Sequence, residues 1–437
     1  MRARNPLITI ALVVSVITIV SDTLFGRVIA FISFSSLNIF AIYVIPAFVT
    51  IYIISQYIFL RYIRKQNYEK SIGNSRLLRI MLSLVTVIQF LVSVPLTVVA
   101  LEIAFQSRYD LILLKMVLWL SYGLSMILLA LLAAQFFKWL KSNYNIVVLV
   151  YAMATGTLSV SIAMNMLYVN SDLETFPENI RPVVSAVMLY DNPDRPLATV
   201  SVVISVVSFV LTWLATTLLL RHHSRKLGRI KYWIAITFPL IYFLGQFQSV
   251  FLDIFSNYRF YDSVLFGLLY TIFFTLAEPL GGFLFGFAFW IMARKIQNTR
   301  VKDYLLISGS GFLLLFASDQ AGALILGPYP PFGLVSISYM GLASYFILSG
   351  IYLSAVSVSR DERLRTSIRK TIEIEYDMLE KIAVSQLNEE IQNKVLRIYR
   401  QVGADDLSAE PEPSLSEADV QQYVNKVLQE VRKDKKT

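Results

Sequence analysis

The residues best placed to do chemistry in this sequence are acidic side chains inside long apolar segments. Glu278 stands near the middle of the apolar segment 264–293, and Pro279, Gly281 and Gly282 follow it closely. An ionised carboxylate there costs several kcal/mol, by analogy with roughly +2.5 to +3.5 for Asp on insertion scales. Acids at such positions commonly have a function. Because proline and glycine interrupt helices, the pattern predicts a broken helix beside a carboxylate, as in many transporter sites.

Three further polar residues could line the same cavity as Glu278. Asp319 and Gln320 follow the glycine-containing stretch 308–311 of a later apolar segment, and Asp253 lies near the end of an earlier one. These four are the candidate ion- or substrate-binding residues, and no catalytic residue is predicted. For Glu278 an alternative stays open, a protonated carboxyl hydrogen-bonded to a neighbouring helix with glycines packing nearby. Asp253 is close enough to a segment end to be hydrated instead.

Residue types that other chemistries need are missing or poorly placed. The chain has no cysteine, which excludes disulfides and thiolate metal ligands. The histidines, His222 and His223, are adjacent in a basic loop without a third ligand, so neither a metal site nor a cofactor is predicted. The sequence contains no Walker A, dinucleotide-binding, HExxH or GxSxG motif. A carboxylate pair could act as acid and base, but no motif supports an enzyme.

The elements that carry these residues are long apolar segments. Hydrophobic residues make up 56% of the 437 and charged residues 16%, against about 25% charged in soluble domains. A helix crosses a bilayer with roughly 20 apolar residues. The sequence therefore predicts an all-α bundle of about ten transmembrane helices within residues 1–358. The predicted spans are 7–28, 37–60, 80–101, 111–136, 146–168, 198–220, 232–255, 264–293, 304–327 and 332–356.

The first apolar segment has two interpretations. Only the stretch from Leu7 to Val20 is uninterrupted before Asp22, which is also the length of the apolar region of a signal peptide. No cleavage site of small residues follows it, so an uncleaved helix is favoured.

The positions of Lys and Arg predict the orientation of the bundle. With the N-terminus in the cytoplasm, nineteen of them fall in or beside cytoplasmic loops, and the outer loops hold five (Arg27, Arg108, Arg181, Arg195 and Arg259). Since basic residues concentrate on the cytoplasmic side, both termini are predicted to be cytoplasmic, in the plasma membrane. The net charge of +9 then reflects topology and attraction to anionic lipid heads, and no nucleic-acid partner is predicted.

Residues 359–402 predict a cytoplasmic amphipathic helix that continues from the last span. Its apolar stripe includes Leu379, Leu387, Ile391 and Val395. A stripe on a helix with charged other faces needs a partner, which is a second copy of the chain, another helix of this chain or another protein. Residues 403–437 predict a flexible acidic linker and a short final helix.

One stretch carries a resemblance. Residues Gly327 to Lys370 (GPYPPFGLVSISYMGLASYFILSGIYLSAVSVSRDERLRTSIRK) resemble a segment of multi-pass membrane proteins of ammonia-oxidising archaea. The resemblance covers a small part of the chain. It implies a membrane protein of archaeal type, and it implies no activity and no functional residue.

Two functions from different classes fit these features, with the ligand left open. The leading prediction is a membrane sensor that passes a conformational change into the cytoplasmic tail, because the tail continues from the last span. The alternative is an ion- or proton-coupled secondary transporter with its site at Glu278. A third prediction, an accessory subunit of a membrane complex, would use the apolar stripe of the tail equally well.

Overall fold

The computed structural model of the chain is helical throughout the residues that it describes. These are residues 6–28, 37–69, 76–106, 109–175, 196–221, 228–245, 269, 272–273, 275–296, 298–319, 331–360 and 377–405. The helices are α1 (Pro6–Val28), α2 (Leu37–Glu69), α3 (Arg76–Gln106), α4 (Leu111–Ser142), α5 (Ile146–Thr175), α6 (Pro196–Leu220), α7 (Arg229–Gly245), α8 (Ala277–Lys295), α9 (Thr299–Ser318), α10 (Leu334–Ser338), α11 (Met340–Arg360) and α12 (Asp377–Asp405).

Eight helical segments in the described residues are long and apolar enough to cross a membrane. They correspond to eight of the ten predicted spans, with α10 and α11 together forming the last. Of the other two, the span 232–255 is described as far as Gly245, and 264–293 is described continuously from Thr275. The prediction of a multi-pass membrane protein with an all-α bundle is confirmed at this level.

The bundle has a central helix and a lipid-facing periphery. The most apolar part of the α10–α11 segment is wholly enclosed by protein, whereas α1, α2 and α3 each leave most of their apolar surface outside. Large side chains such as Ile10, Ile54 and Phe90 are exposed on those outer faces. A bilayer accepts such surfaces, because lipid tails are as apolar as these side chains.

The two ends of the bundle differ in charge. Exposed basic residues, among them Lys141, Arg221, Arg294 and Arg300, lie at the ends of α4, α6 and α8 and at the start of α9. Successive helices are joined by short connections there, so these residues share one end of the bundle, which we call the basic end. The first turns of α4 and α8 lie at the opposite end of the bundle.

Glycines set the distance between α8 and α9. A Cβ on Gly286 would collide with the backbone of Gly309, and a Cβ on Gly282 would lie 2.7 Å from the Cβ of Phe316. Small residues allow helix backbones to approach closely in membranes. The alternative interpretation of these glycines as a packing face is therefore the one that the contacts support.

The helix break predicted at Pro279, Gly281 and Gly282 lies earlier in the chain. Residues from Ala277 to Lys295 form one helix, and the interruption is a turn at Leu276. Pro279 is tolerated because it occupies the first turn, where its missing N–H removes no hydrogen bond. Gly281 faces the ring of Phe209 and packs rather than bends. Glu278 consequently lies at the start of a helix rather than in the middle of one.

Asp22 is buried where α1 meets the start of α10. Its Oδ2 accepts hydrogen bonds from Ser336 N at 2.8 Å and from Ser336 Oγ at 2.9 Å. Gly333, with φ of +93°, precedes α10 and permits the turn into it. A carboxylate is stabilised by the free N–H groups at a helix start. The contact is part of the packing of α1 against α9 and α10.

Replacing Asp22 by alanine is expected to lower the stability of the fold by about 2–3 kcal/mol, because a buried N–H loses its charged acceptor. The matched control is Asp110→Ala, which removes the exposed N-cap of α4, where Asp110 accepts from Ile112 N. That change should cost only about 1 kcal/mol. Thermal unfolding in detergent measures both variants, and equal losses would contradict a buried role for Asp22.

The tail helix α12 docks on the bundle at the basic end, against α4 and α11. Leu379 is buried together with Met378, Ile382 and Ala383, Leu387 and Val395 are half-buried, and Ile391 is exposed. The first half of the predicted stripe thus has its partner within this chain. The predicted continuity with the last span falls on residues 361–376, outside the described residues, as do residues 406–437 of the predicted linker and final helix.

Polar contacts fix α12 to the last turn of α4. Ser385 Oγ donates to the carbonyl of Trp139 at 3.0 Å, and Trp139 Nε1 donates to Gln386 Oε1 at 3.1 Å. Lys138 Nζ and Glu389 Oε1 form an ion pair at 2.5 Å. The Trp139 carbonyl also accepts the backbone N–H of Asn143 at 3.0 Å, so the bond from Ser385 is a second one to the same oxygen, which has two lone pairs.

Candidate functional site

Asp319 ends α9 and is held by a chain of polar side chains from two other helices. Asn165 Nδ2 on α5 donates to Asp319 Oδ1 at 3.1 Å, and Ser201 Oγ on α6 donates to Asn165 Oδ1 at 2.5 Å. All three side chains are buried. The carboxamide is fixed in orientation by these two bonds, so Asn165 presents a donor to the carboxylate.

Glu278 lies in the first turn of α8. Gly282, one turn later, contacts Phe316 of α9, so the antiparallel pair α8–α9 places Glu278 beside the end of α9 that bears Asp319. The two carboxyl groups are near enough for their charges to interact. Glu278 Oε2 is buried and has no hydrogen-bond partner in the described structure. One carboxylate oxygen is therefore open to a proton or an ion.

Two further side chains face the acid pair. The hydroxyl of Tyr122 on α4 is buried and has no hydrogen-bond partner among the residues that the structure describes, and it lies within electrostatic reach of both Asp319 and Glu278. The positive charge of Arg27, near the end of α1, also reaches Glu278. We call Glu278, Asp319, Asn165, Ser201 and Tyr122 the acid site. It draws one residue from each of α4, α5, α6, α8 and α9.

The acid site lies in the half of the bundle away from the basic end. Glu278 precedes Arg294 by sixteen residues, which is about 24 Å of helix at a rise of 1.5 Å per residue. Asp319 follows Arg300 by nineteen residues, or about 28 Å of α9. Lys141, at the end of α4, lies nineteen residues beyond Tyr122. The site is therefore within a few helical turns of the opposite end.

Aromatic rings close the acid site towards the basic end. Phe209, Phe285 and Phe316 form a three-way contact with ring centroids 5.3, 4.8 and 5.8 Å apart. Phe243 of α7 stacks on Phe209 at 3.8 Å. All four rings are buried. Because apolar rings exclude water and ions, this aromatic layer is a barrier along α6, α7, α8 and α9 between the acid site and the basic end.

Of the four predicted binding residues, Glu278 lies at the start of α8 and Asp319 at the adjacent end of α9. Gln320 and Asp253 lie outside the described residues. The positive charge that reaches Glu278 in the structure is that of Arg27. Asn165 and Tyr122 were missed. Asn165 had a signal, because it is the single asparagine of the predicted span 146–168.

The chemistry of the acid site suits a small cation. Its potential ligands are two carboxylates, a carboxamide and two hydroxyls, all hard oxygen donors apart from the amide nitrogen. In the described residues no three His, Cys, Asp or Glu side chains group to hold a metal ion. Two carboxyl groups and neutral oxygens fit a proton or a monovalent cation, which needs less compensating charge than a divalent one.

The helices and the acid site together define a multi-pass membrane protein with a buried acidic site inside its bundle. Comparison with known proteins adds no family to this description. No protein-family model, curated protein or solved structure matches the chain.

Proposed function

We propose that this protein is a secondary transporter coupled to protons or monovalent cations, with the acid site as its binding site. One observation carries the proposal: Glu278 and Asp319, from different helices, interact in the bundle interior while Glu278 Oε2 has no hydrogen-bond partner in the described structure. Burying an unpaired carboxylate in apolar surroundings is costly. A proton or a cation that binds there and leaves again removes that cost.

The proposed transport cycle uses the position of the acid site between the aromatic layer and the opposite end. The substrate cation enters from the end of the bundle opposite the basic end. It then replaces Arg27 as the positive charge that interacts with Glu278. Asn165 and Ser201 hold Asp319 in place while its charge is shared with the cation. Movement of the aromatic layer, through Phe209, then opens the path to the basic end. Alternating access around a fixed site is the general behaviour of secondary transporters.

Flux in proteoliposomes tests the proposal. Wild-type protein under an imposed proton gradient and membrane potential is expected to support cation-dependent proton flux. Glu278→Gln should lose it, by roughly 100-fold if about 3 kcal/mol of binding is removed. The control is Glu102→Gln on α3, because Glu102 Oε2 accepts a hydrogen bond from the backbone N–H of Asp110 at 3.0 Å and glutamine keeps an acceptor there. Equal flux in wild type and Glu278→Gln would refute the proposed site.

The topology belongs to the same proposal: ten spans, both termini cytoplasmic, and the basic end on the cytoplasmic side of a plasma membrane. The absence of cysteine makes the test clean. Asp110→Cys, at one end of α4, should react with a membrane-impermeant maleimide in intact cells. Lys141→Cys, at the other end, should react only after lysis. The reverse pattern would invert the orientation.

A sensor remains the second candidate, because α12 holds the end of α4 through Trp139 and Lys138. Tyr122 lies on the same helix, so a change at the acid site has a direct mechanical route to the tail. Removing the chain after Ser359 separates the two functions. The transporter proposal predicts that flux persists in the shortened protein once it is shown to be monodisperse. A wild type without flux, together with a well-folded shortened protein that has lost its signalling output, would favour the sensor.

A further inference from the structure

A second group of buried polar side chains lies at the junction between α10 and α11. The segment is interrupted at Tyr339, between Ser338 and Met340. Tyr52 of α2 donates a hydrogen bond to Gln89 Oε1 of α3 at 2.8 Å and approaches the carbonyl of Ser338 at 3.3 Å. We call Ser15, Tyr52, Gln89, Ser338 and Tyr339 the junction cluster. None of the five carries a charge.

Three polar groups of the junction cluster have no hydrogen-bond partner in the described structure. They are Gln89 Nε2, the hydroxyl of Tyr339 and the hydroxyl of Ser15. The three side chains have no exposed surface. The Tyr339 hydroxyl lies near those of Ser15 and Ser55, but not in hydrogen-bonding geometry. Gln89 Nε2 and the two hydroxyls, three donors in all, belong to side chains that are linked through Tyr52, and they do not satisfy one another.

The side chains of the junction cluster are in direct contact with one another and with the neighbouring backbone. The ring of Tyr339 contacts that of Tyr52 edge-on, with centroids 4.9 Å apart. The carboxamide of Gln89 lies against Gly341, where a Cβ would come within 2.8 Å of Nε2. A side chain at position 341 would therefore displace the amide. Glycine at this position preserves the unpartnered donor instead of covering it.

Leaving a buried donor unsatisfied costs about 1–3 kcal/mol, and buried polar groups in folded proteins almost always have a partner. Internal waters meet this need, each making about three hydrogen bonds to otherwise unsatisfied groups. At the breaks of membrane helices, ordered waters can replace lost backbone bonds. Gln89 follows Arg76 by thirteen residues, about 20 Å along α3, so bulk solvent lies some turns away.

We propose that the junction cluster is a binding site for ordered water inside the membrane bundle, held by Gln89 Nε2 and the hydroxyls of Tyr339 and Ser15. The site is separate from the acid site, because it is built from α1, α2, α3 and the α10–α11 junction. Its neutral donors and acceptors select water over ions. The bound water solvates the helix interruption at Tyr339, within the central α10–α11 segment. The proposal holds whether or not the protein transports cations.

Radiolytic footprinting tests the water site, because X-rays generate hydroxyl radicals from water and bound water labels the side chains beside it. The full chain is irradiated in lipid nanodiscs. Tyr52 and Tyr339 should be labelled at least about fivefold faster than a dry aromatic pair, since an apolar cavity stays empty of water. The control pair is Phe59 and Phe346, which are buried on α2 and α11 with centroids 5.3 Å apart. Equal labelling of all four rings would overturn the proposal.

The sign of a stability change gives a second readout. If water binds the Tyr339 hydroxyl, Tyr339→Phe removes a hydrogen-bonded group and lowers the melting temperature. If the cluster is dry, the same change removes an unsatisfied hydroxyl, and the melting temperature stays the same or rises. Tyr232→Phe serves as the positive control, because the Tyr232 hydroxyl donates to the carbonyl of Thr217 at 3.0 Å. An unchanged or raised melting temperature for Tyr339→Phe would overturn the proposal.

Discussion

The double variant Glu278→Gln with Asp319→Asn is expected to transport no worse than either single variant. Each single change should reduce cation-coupled flux by roughly 100-fold, because each removes one of two carboxylates around the same ion. Once either is lost the ion is no longer bound, so the second change has nothing further to remove. Such non-additivity is typical of residues that act as a unit. Initial rates in proteoliposomes, with protein amounts matched, measure all four proteins.

The contrast between the double and single variants decides whether the acids share one site. Losses that multiply would mean two independent sites, and the acid site as described would be wrong. Asn165→Leu provides a graded comparison. It leaves both carboxylates in place but removes the hydrogen bond to Asp319 Oδ1, so flux should fall by less than in the acid variants.

The replacement Gly309→Val is expected to destabilise the fold strongly. A Cβ on Gly309 would lie 2.6 Å from the carbonyl oxygen of Gly286 and from the ring of Trp290. Overpacking of this kind costs about 3 kcal/mol or more where the backbone cannot move. Because α8 and α9 carry Glu278 and Asp319, the acid site should be lost with the packing.

The matched control for that replacement is Gly123→Val in α4, where an added Cβ meets nothing within 4 Å. Both changes introduce the same side chain into a helix, so helix propensity cancels in the comparison. Thermal unfolding and size-exclusion profiles in detergent measure the two variants. Similar behaviour of Gly309→Val and Gly123→Val would show that the close approach of α8 and α9 does not support the fold.

The residues of the acid site that could be predicted are the carboxylates, because placing a charge inside the bilayer has a large free-energy cost. Glu278 was identified because a carboxylate inside an apolar segment needs a reason to be there. Asp319 was identified by the same rule. Asp22 has its partner Ser336 more than three hundred residues away. The local sequence therefore does not show that Asp22 has hydrogen-bond partners inside the bundle. From the sequence alone, Asp22 only shortens the apolar stretch of the first span.

Neutral polar residues could not be assigned in this way, because their own helix can satisfy them. Thr212 and Thr216 donate to carbonyls four residues earlier, at 2.8 Å each, so these two hydroxyls are satisfied within α6. Ser201, on the same helix, instead donates to Asn165 of α5. Ser201 differs from the two threonines because it lies where α6 packs against α5. The spacing of residues along one helix does not show which of its residues contact a neighbouring helix.

The position of the helix interruption near Glu278 could not be read from residue types alone. Proline is tolerated in the first turn of a helix as well as at a kink, so Pro279 fits both arrangements. Glycine likewise serves both a bend and a close contact. The contacts of Gly282 with Phe316 and of Gly286 with Gly309 decide for packing. The consequence is that Glu278 faces the end of α9 from the start of α8.

The measurement that tests the acid site most directly is infrared difference spectroscopy of the reconstituted protein during exchange between protons and monovalent cations. Carboxyl and carboxylate bands report binding at an acid without requiring that the transported substrate be known. If Glu278 binds the exchanging ion, carboxyl bands should change on exchange in the wild type. These bands should be absent in Glu278→Gln and retained in Glu102→Gln. Bands that persist unchanged in Glu278→Gln, or a wild type whose carboxyl bands respond to no monovalent cation and no change of pH, would contradict it.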